Sequence, residues 1–211
     1  KNETIQGIQI KEEPNFENFV FVDMSSCLFS EDINVSKYDF IYACAQKNFG
    51  PAGITLVIAK KELISKSKPE LPNILRYDAH ASEKSMLNTP NTFGWYVAGK
   101  MFDWYTKEGG IKKMEDRSIK KSDLLYSFID SSDFYINPVS KEQRSICNVV
   151  FTLSNPDLDS KFLKESDAEG LKYLKGHRTV GGMRASIYNS LPMDAVESLV
   201  DFMRSFEAKY G

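Results

Sequence analysis

The chain has 211 residues, of which 42% are hydrophobic, 12% aromatic and 27% charged, a composition typical of a globular protein with one large or two modest domains. The formal net charge of −2 excludes the basic surface that nucleic acid binding requires, although a few local arginines could still hold a small anion. We expect a cytoplasmic protein with reduced thiols, because its three cysteines are widely spaced, no apolar run is long enough to span a membrane, and the first residues lack the apolar core of a signal peptide.

Three short apolar runs in the first part of the chain predict strands that are buried on both faces. They lie at residues 20–24, 40–45 and 53–59, and their continuous rather than alternating apolarity favours a mainly parallel sheet. Residues 60–64 predict a short helix, and the polar, proline-containing stretch 66–91 predicts a long ordered excursion. Two or three strands are too few for a buried sheet flanked by helices, so we expect this domain to be incomplete.

The pattern changes from Thr92 onward, where apolar residues recur at helical spacing. Helices are predicted from Thr92 to the glycine pair 109–110, at 111–129, at 158–169 and after Pro192, with strands at 147–153 and 185–188. The shift in composition near 106–112 predicts a boundary between two domains. Residues 1–108 would form the C-terminal part of a larger domain, and residues 109–211 a small α+β domain.

Asp23 and Lys47 each follow a predicted buried strand. Functional side chains of open α/β sheets collect outside the carboxyl ends of strands. A lysine that is desolvated there becomes a nucleophile suited to Schiff-base chemistry, because burial disfavours its ammonium form. An aspartate at the neighbouring strand end could hold positive charge on a bound cofactor ring. The alternative is that Lys47 extends to solvent and Asp23 caps a helix, since charged residues are common at strand ends.

A second group of candidate residues lies in GHRTVGGMRASIYN at 176–189. Arginine forks match carboxylate and phosphate oxygens, so Arg178 and Arg184 beside His177 predict a site for a dianionic ligand. The alternative is a surface turn with solvated arginines. Asn88 and Thr89 offer donors just before the helix that starts near Thr92, although such pairs often serve only as caps. The sequence contains no metal-ligand cluster, phosphate-binding loop or nucleophile elbow.

Four stretches distributed along the chain together carry a family resemblance. They are AQKNFGPAG at 45–53, NTPNTFGWY at 88–96, GHRTVGGMRASIYN at 176–189 and DFMRSFEAKYG at 201–211. In this order they resemble the phosphoserine aminotransferases, pyridoxal phosphate (PLP) enzymes of fold type I. The resemblance implies an α/β fold in which a partial large domain with a mainly parallel sheet precedes a C-terminal α+β domain. It also implies that an N-terminal portion carried by family members is missing from this chain.

The resemblance assigns four residues to the cofactor. Lys47 matches the lysine that holds PLP as a Schiff base, and Asp23 matches the aspartate that pairs with the pyridinium nitrogen. Thr4 and Gln46 match residues that contact the ring oxygen and the cofactor phosphate, respectively.

The resemblance assigns the remaining candidates to the partner subunit and to the substrate. Asn88 and Thr89 match the pair that reaches the PLP phosphate of the other subunit, which implies a homodimer with shared sites. Arg184 matches the arginine that grips the substrate α-carboxylate, and His177 and Arg178 match groups that recognise the substrate phosphate.

The reaction that this family implies is amino transfer between L-glutamate and 3-phosphohydroxypyruvate, which gives O-phospho-L-serine and 2-oxoglutarate for serine biosynthesis. A second reading keeps the PLP chemistry but changes the substrate to another small anionic amino acid. A third reading is non-catalytic: the chain would act only in folding or dimerisation, beside a separate N-terminal polypeptide of the same protein.

Overall fold

The computed structural model describes residues 1–211, which form one two-stranded sheet, two larger three-stranded sheets and six α-helices. The strands are β1 (Asn2–Glu3), β2 (Ile8–Gln9), β3 (Phe21–Asp23), β4 (Phe40–Cys44), β5 (Thr55–Ala59), β6 (Tyr135–Ile136), β7 (Asn148–Leu153) and β8 (Met183–Ser186). The helices are α1 (Lys61–Ile64), α2 (Tyr77–Ser82), α3 (Thr92–Lys107), α4 (Gly110–Asp130), α5 (Asp159–Ala168) and α6 (Met193–Tyr210). None of these helices is both long and apolar enough to cross a membrane.

The first large sheet has the order β3-β4-β5 and contains all three strands expected in this half. β3 and β4 are parallel, with Val22 opposite Ile41, whereas β5 runs antiparallel to β4, with Val57 opposite Tyr42. The parallel orientation expected for the third strand is therefore wrong. The connection between β4 and β5, residues 45–54, is shorter than the roughly 12 residues that a parallel crossover needs, so the chain must turn back.

The second large sheet is antiparallel, in the order β6-β7-β8, and packs with α4, α5 and α6. β7 is buried along most of its length, as its apolar sequence NVVFTL predicts. Phe162 of α5 and Met203 of α6 are completely buried in a cluster of 19 core residues. These elements agree with the expected α+β module.

A separate cluster of 12 buried residues underlies the first large sheet, so the chain has two hydrophobic cores. α4 contributes to both of them: Met114 lies in the first core and Leu125 in the second, and each is fully buried. The domain boundary at 108–109 stays a prediction. The long helix that follows it packs into both halves of the chain.

The hairpin β1-β2 is a feature that sequence patterning did not predict, because its strands are only two residues long. It packs against β7 of the second sheet and is also bonded to the first half of the chain, where the Asn2 amide donates to the Ser26 hydroxyl at 2.8 Å. Gly7 has a φ of +71°, and a Cβ there would come within 2.7 Å of the Asn148 carbonyl oxygen. The hairpin can therefore approach β7 closely only with glycine at this position.

Candidate functional site

Lys47 lies in the turn that follows β4, at the carboxyl edge of the first large sheet. The turn is closed by backbone hydrogen bonds from Phe49 and Gly50 to the Ala45 carbonyl oxygen, both 3.0 Å long. The Lys47 side chain is half-buried, and its Nζ donates a 3.1 Å hydrogen bond to the hydroxyl of Thr4. The lysine therefore does not simply extend into solvent: its amine is held against the N-terminal hairpin.

Asp23 ends β3 beside this turn and keeps its carboxylate charged. Burial by itself would raise the Asp23 pKa, but hydrogen bonds from Ser25 and Tyr42 and the positive charge of Lys47 outweigh it, so the pKa lies below its ordinary value. Asp23 Oδ1 accepts from the Ser25 amide at 2.7 Å, which forms an Asx turn rather than a helix cap. The parallel pairing of β3 with β4 thus brings Asp23 and Lys47 to one edge, as their positions at strand ends predict.

The hairpin that carries Thr4 is anchored by the side chain of Asn2. The Asn2 amide donates to Ser26 Oγ at 2.8 Å and to Asn148 Oδ1 at 3.0 Å, and its oxygen accepts from the Ser145 hydroxyl. These partners come from the turn after β3 and from the second sheet. The hairpin that presents Thr4 to Lys47 is therefore anchored to both halves of the chain.

Residues 176–182 form a tight loop that carries His177 and Arg178. Gly176 donates from its backbone to the Gly182 carbonyl oxygen at 2.8 Å, and a Cβ on Gly176 would come within 2.0 Å of the Gly181 carbonyl oxygen. His177 Nδ1 lies 2.8 Å from the Thr179 hydroxyl, and Arg178 is exposed. Neither His177 nor Arg178 makes a hydrogen bond or ion pair with Lys47 or Asp23 within the chain.

Arg184 lies on β8, opposite Val150 of β7. It is half-buried, and its Nε is inaccessible and has no hydrogen-bond partner. A buried N–H group without a partner costs about 1–3 kcal/mol, and more when it belongs to a charged group. This guanidinium is therefore not a freely solvated surface arginine.

The remaining predicted residues, Asn88, Thr89 and Gln46, make no hydrogen bond with Lys47. Asn88 and Thr89 are exposed, and the Asn88 amide donates only to the Thr89 carbonyl oxygen, at 3.1 Å. They do not cap α3, because Asn91 does so by accepting from the Gly94 amide at 3.0 Å. Instead they line a groove of about 940 Å³ on the outside of the chain. Gln46 is exposed, and its side chain makes no hydrogen bond.

Sequence reasoning missed two residues that set the charge of Asp23, namely Ser25 and Tyr42. An Asp followed two residues later by Ser is a recognised Asx-turn pattern, so Ser25 could have been identified from the sequence. Tyr42 faces Asp23 only through the register of β3 with β4, which the sequence alone does not specify.

The sequence matches a known protein family over most of its length. The family model described as aminotransferase class-V matches residues 3–199. The phosphoserine aminotransferase of Buchnera aphidicola subsp. Acyrthosiphon pisum is 54% identical over 211 residues, which is 100% of this chain and 58% of that protein. The chain therefore spans less than two thirds of the length of this curated relative.

Solved structures agree with the sequence comparison. The phosphoserine aminotransferase from Bacillus circulans subsp. alkalophilus superposes with a TM-score of 0.97 at 40% identity, covering 100% of this chain and 59% of that one. The PLP-bound phosphoserine aminotransferase from Trichomonas vaginalis gives a TM-score of 0.91 at 38% identity, covering 96% and 58%, respectively. The α/β fold implied by the family resemblance, with a partial large domain, is confirmed.

The hydrogen bonds around Asp23 lead to a test of its charge. In Ser25→Ala, the pKa of Asp23 should rise toward its ordinary value, because the variant loses the side-chain hydrogen bond that favours the carboxylate. A lowered folded-state pKa stabilises the protein above the unfolded pKa and is lost as pH falls through the folded value. Through Asp23 the variant should therefore lose roughly 1 kcal/mol or less at pH 7, since solvent screens this carboxylate, and almost nothing in strong acid. The hydrogen bond that the Ser25 hydroxyl accepts from the Cys44 amide at 3.0 Å is lost at every pH and adds a loss that does not depend on pH.

The measurement is a carboxyl-carbon NMR titration, combined with urea unfolding at neutral and acidic pH. Asp39 provides the internal control, because its pKa is lowered by Lys60 and by the Val20 amide, which the substitution does not touch. An Asp23 pKa that matches the parent protein would contradict the role given to Ser25.

Proposed function

The chain belongs to the class-V aminotransferase family, and on that basis we propose that the intact protein containing it is a PLP-dependent aminotransferase. The proposed reaction moves an amino group between L-glutamate and 3-phosphohydroxypyruvate, giving O-phospho-L-serine and 2-oxoglutarate. One observation carries the proposal: the amine of Lys47 is held by Thr4 beside an Asp23 carboxylate that stays ionised. The relatives named above supply the substrate class.

The residues at this edge of the sheet fit PLP chemically. Lys47 provides an amine for covalent attachment, and the ionised Asp23 would pair with the protonated ring nitrogen. The Thr4 hydroxyl would contact the ring oxygen, and the free amide of Gln46 would contact the phosphate. When bound, the cofactor supplies an electron sink for the α-carbon of an amino acid.

Lys47 would also act as the general base. Once an amino-acid donor has displaced it, its Nζ is the group positioned to take the proton from the substrate α-carbon and to return it later. The hydrogen bond to Thr4 defines where that amine rests, and the turn closed on Ala45 limits how far its backbone moves. A base that is positioned before the substrate arrives loses less entropy in the reaction.

The substrate would be bound by the basic residues that follow α5. The half-buried Arg184 suits the α-carboxylate, because a guanidinium presents paired N–H donors to two carboxylate oxygens. The exposed Arg178 and the half-buried His177, on their glycine-rich loop, suit a phosphate group. Together they match a ligand with two anionic groups.

Replacing the lysine tests the chemistry directly. Lys47→Arg keeps the positive charge but cannot hold PLP covalently, so turnover should fall by at least about a hundredfold and the visible absorbance of the bound cofactor should change. Absorbance spectra and initial rates with O-phosphoserine and 2-oxoglutarate provide the measurement. Lys61→Ala, which changes an exposed lysine, is the matched control and should behave as the parent protein. Normal turnover in Lys47→Arg would refute the mechanism.

Paired substitutions test the substrate class. Arg184→Ala should raise the KM of O-phosphoserine, aspartate and alanine alike, by roughly 10- to 100-fold, because every amino acid carries the α-carboxylate. His177→Ala and Arg178→Ala should raise KM by a comparable factor for O-phosphoserine only. Steady-state kinetics with the three donors decides between them. If aspartate or alanine is used better than O-phosphoserine by the parent protein, the phosphate assignment is wrong, whatever the variants do.

We further propose a homodimer in which Asn88 and Thr89 reach the cofactor phosphate of the partner subunit. Both residues are exposed, and the Asn88 amide donates only to the adjacent Thr89 carbonyl oxygen, which leaves their side chains available to a partner subunit. Inactive Lys47→Ala protein, mixed with inactive protein carrying both Asn88→Ala and Thr89→Ala, should regain activity after subunit exchange. The mixed dimer then contains one site with no defect.

The control for this experiment mixes Lys47→Ala with Arg184→Ala. If Lys47 and Arg184 serve the same site of one subunit, every site in the mixed dimer keeps a defect and activity stays low. Equal recovery in both mixtures, or none in the first, would overturn the shared-site arrangement.

A further inference from the structure

A buried polar cluster connects the three chain segments that follow β3, β4 and β8, and we propose that it positions Lys47 relative to Arg184. The cluster consists of Ser30, Asn48, Tyr105 and Asn189, and is called the junction cluster below. Asn189 and Tyr105 are thereby assigned as positioning residues. The inference rests on the proposed function for the roles of Lys47 and Arg184, but the contacts that carry it do not.

Asn189 is the centre of the junction cluster. Its side-chain oxygen accepts from the Ser30 hydroxyl at 2.9 Å, and its amide donates to the Phe29 carbonyl oxygen at 2.8 Å and to the Tyr105 hydroxyl at 2.9 Å. The residue is only 5% exposed. A segment that follows the strand of Arg184 is thus bonded to the turn that follows the strand of Asp23, and to α3.

Asn48, the residue next to Lys47, completes the connection. Its amide donates to the Leu28 carbonyl oxygen at 2.9 Å and to the Ser30 hydroxyl at 3.1 Å, and its side-chain oxygen accepts from the backbone amide of Asn189 at 3.2 Å. The Tyr105 hydroxyl donates to the Asn48 carbonyl oxygen at 2.7 Å. The residue that follows Lys47 is therefore bonded within the cluster both through its side chain and through its backbone carbonyl oxygen.

The backbone conformation of Phe29 indicates that these contacts hold the turn. Phe29 has a φ of +69°, a left-handed conformation that costs a non-glycine residue about 1 kcal/mol or more. Such a conformation persists only where surrounding contacts stabilise it. Here the Asn189 side-chain amide donates a hydrogen bond to the Phe29 carbonyl oxygen. The turn after Asp23 is thus held in a shape that it would not favour alone.

Lys121 of α4 fixes the other end of the connection. Its Nζ donates to the carbonyl oxygens of Ile187, Tyr188 and Leu191, at 3.0, 2.7 and 2.9 Å, and the residue is 2% exposed. Three carbonyl oxygens on one buried ammonium group hold the segment around Asn189 in one conformation. A displacement of β8 is therefore transmitted to Asn189, and through it to the turn of Lys47, instead of being absorbed by a flexible loop.

The test compares two single-hydroxyl deletions in the intact protein. Tyr105→Phe removes the hydroxyl that joins Asn48 to Asn189. Tyr135→Phe removes an equally buried hydroxyl that donates to the Met203 carbonyl oxygen at 2.8 Å, inside the second core and away from the cluster. Both variants lose one hydrogen bond to a backbone carbonyl group, and Tyr105→Phe also loses the bond that its hydroxyl accepts from the Asn189 amide, so urea unfolding of both variants is measured alongside.

The first measurement is hydrogen exchange without cofactor. Tyr105→Phe should accelerate amide exchange about tenfold in peptides covering residues 24–30, 45–50 and 187–191, while Tyr135→Phe should leave these peptides unchanged. Asn189→Ala, which removes the centre of the cluster, should accelerate the same peptides further. Acceleration confined to the immediate neighbours of Tyr105, or the same pattern in both tyrosine variants, would overturn the proposal.

The second measurement uses the enzyme loaded with PLP. Tyr105→Phe should lower kcat about tenfold and change the KM of O-phosphoserine less than threefold, because the substrate is still gripped while Lys47 is less well placed. Tyr135→Phe should leave both constants within twofold of the parent protein. A KM effect without a kcat effect would overturn the positioning role. If hydrogen exchange accelerates in Tyr105→Phe as expected but the parent protein binds no PLP, the structural role of the junction cluster is supported and the proposed function is refuted.

Discussion

The parallel pairing of β3 with β4 is the constraint on which the candidate site depends. Parallel strands end at the same edge of a sheet, so the residues that follow them are neighbours although they are distant in sequence. Asp23 ends one strand, and the turn carrying Lys47 follows the other. The positive charge of Lys47 then contributes to the lowered pKa of the Asp23 carboxylate.

Parts of this arrangement can be read from the sequence, because they depend on local patterns. The apolar runs before Asp23 and Lys47 predict strands, and the glycine-rich stretch around His177 predicts a tight loop, since these signals need no knowledge of distant partners. The helices after Thr92 are equally local, and their apolar spacing predicts their extents within a few residues. The family resemblance adds the chemical roles, which no periodicity indicates.

Other parts depend on contacts across the chain and could not be predicted in this way. The hairpin with Thr4 has strands of two residues, and only its packing against Asn148 reveals it. The antiparallel direction of β5 is an exception, because the length of the preceding turn is a local signal that indicates it, although the apolar composition of the strand favours a parallel one. Asn48 and Asn189 are unremarkable in sequence, and they meet only because the two halves of the chain fold against each other.

The sharing of α4 between the two cores limits how the C-terminal half can move as a domain. A hinge at the glycine pair 109–110, where α4 begins, would move the whole helix with the C-terminal half and pull Met114 out of the first core. Rotation that keeps both cores intact requires α4 itself to bend between Met114 and Leu125. If α4 does not bend, the two halves of the chain keep their relative orientation. Closure over a ligand would then come from movement of loops such as 176–182, and not from rotation of the C-terminal half.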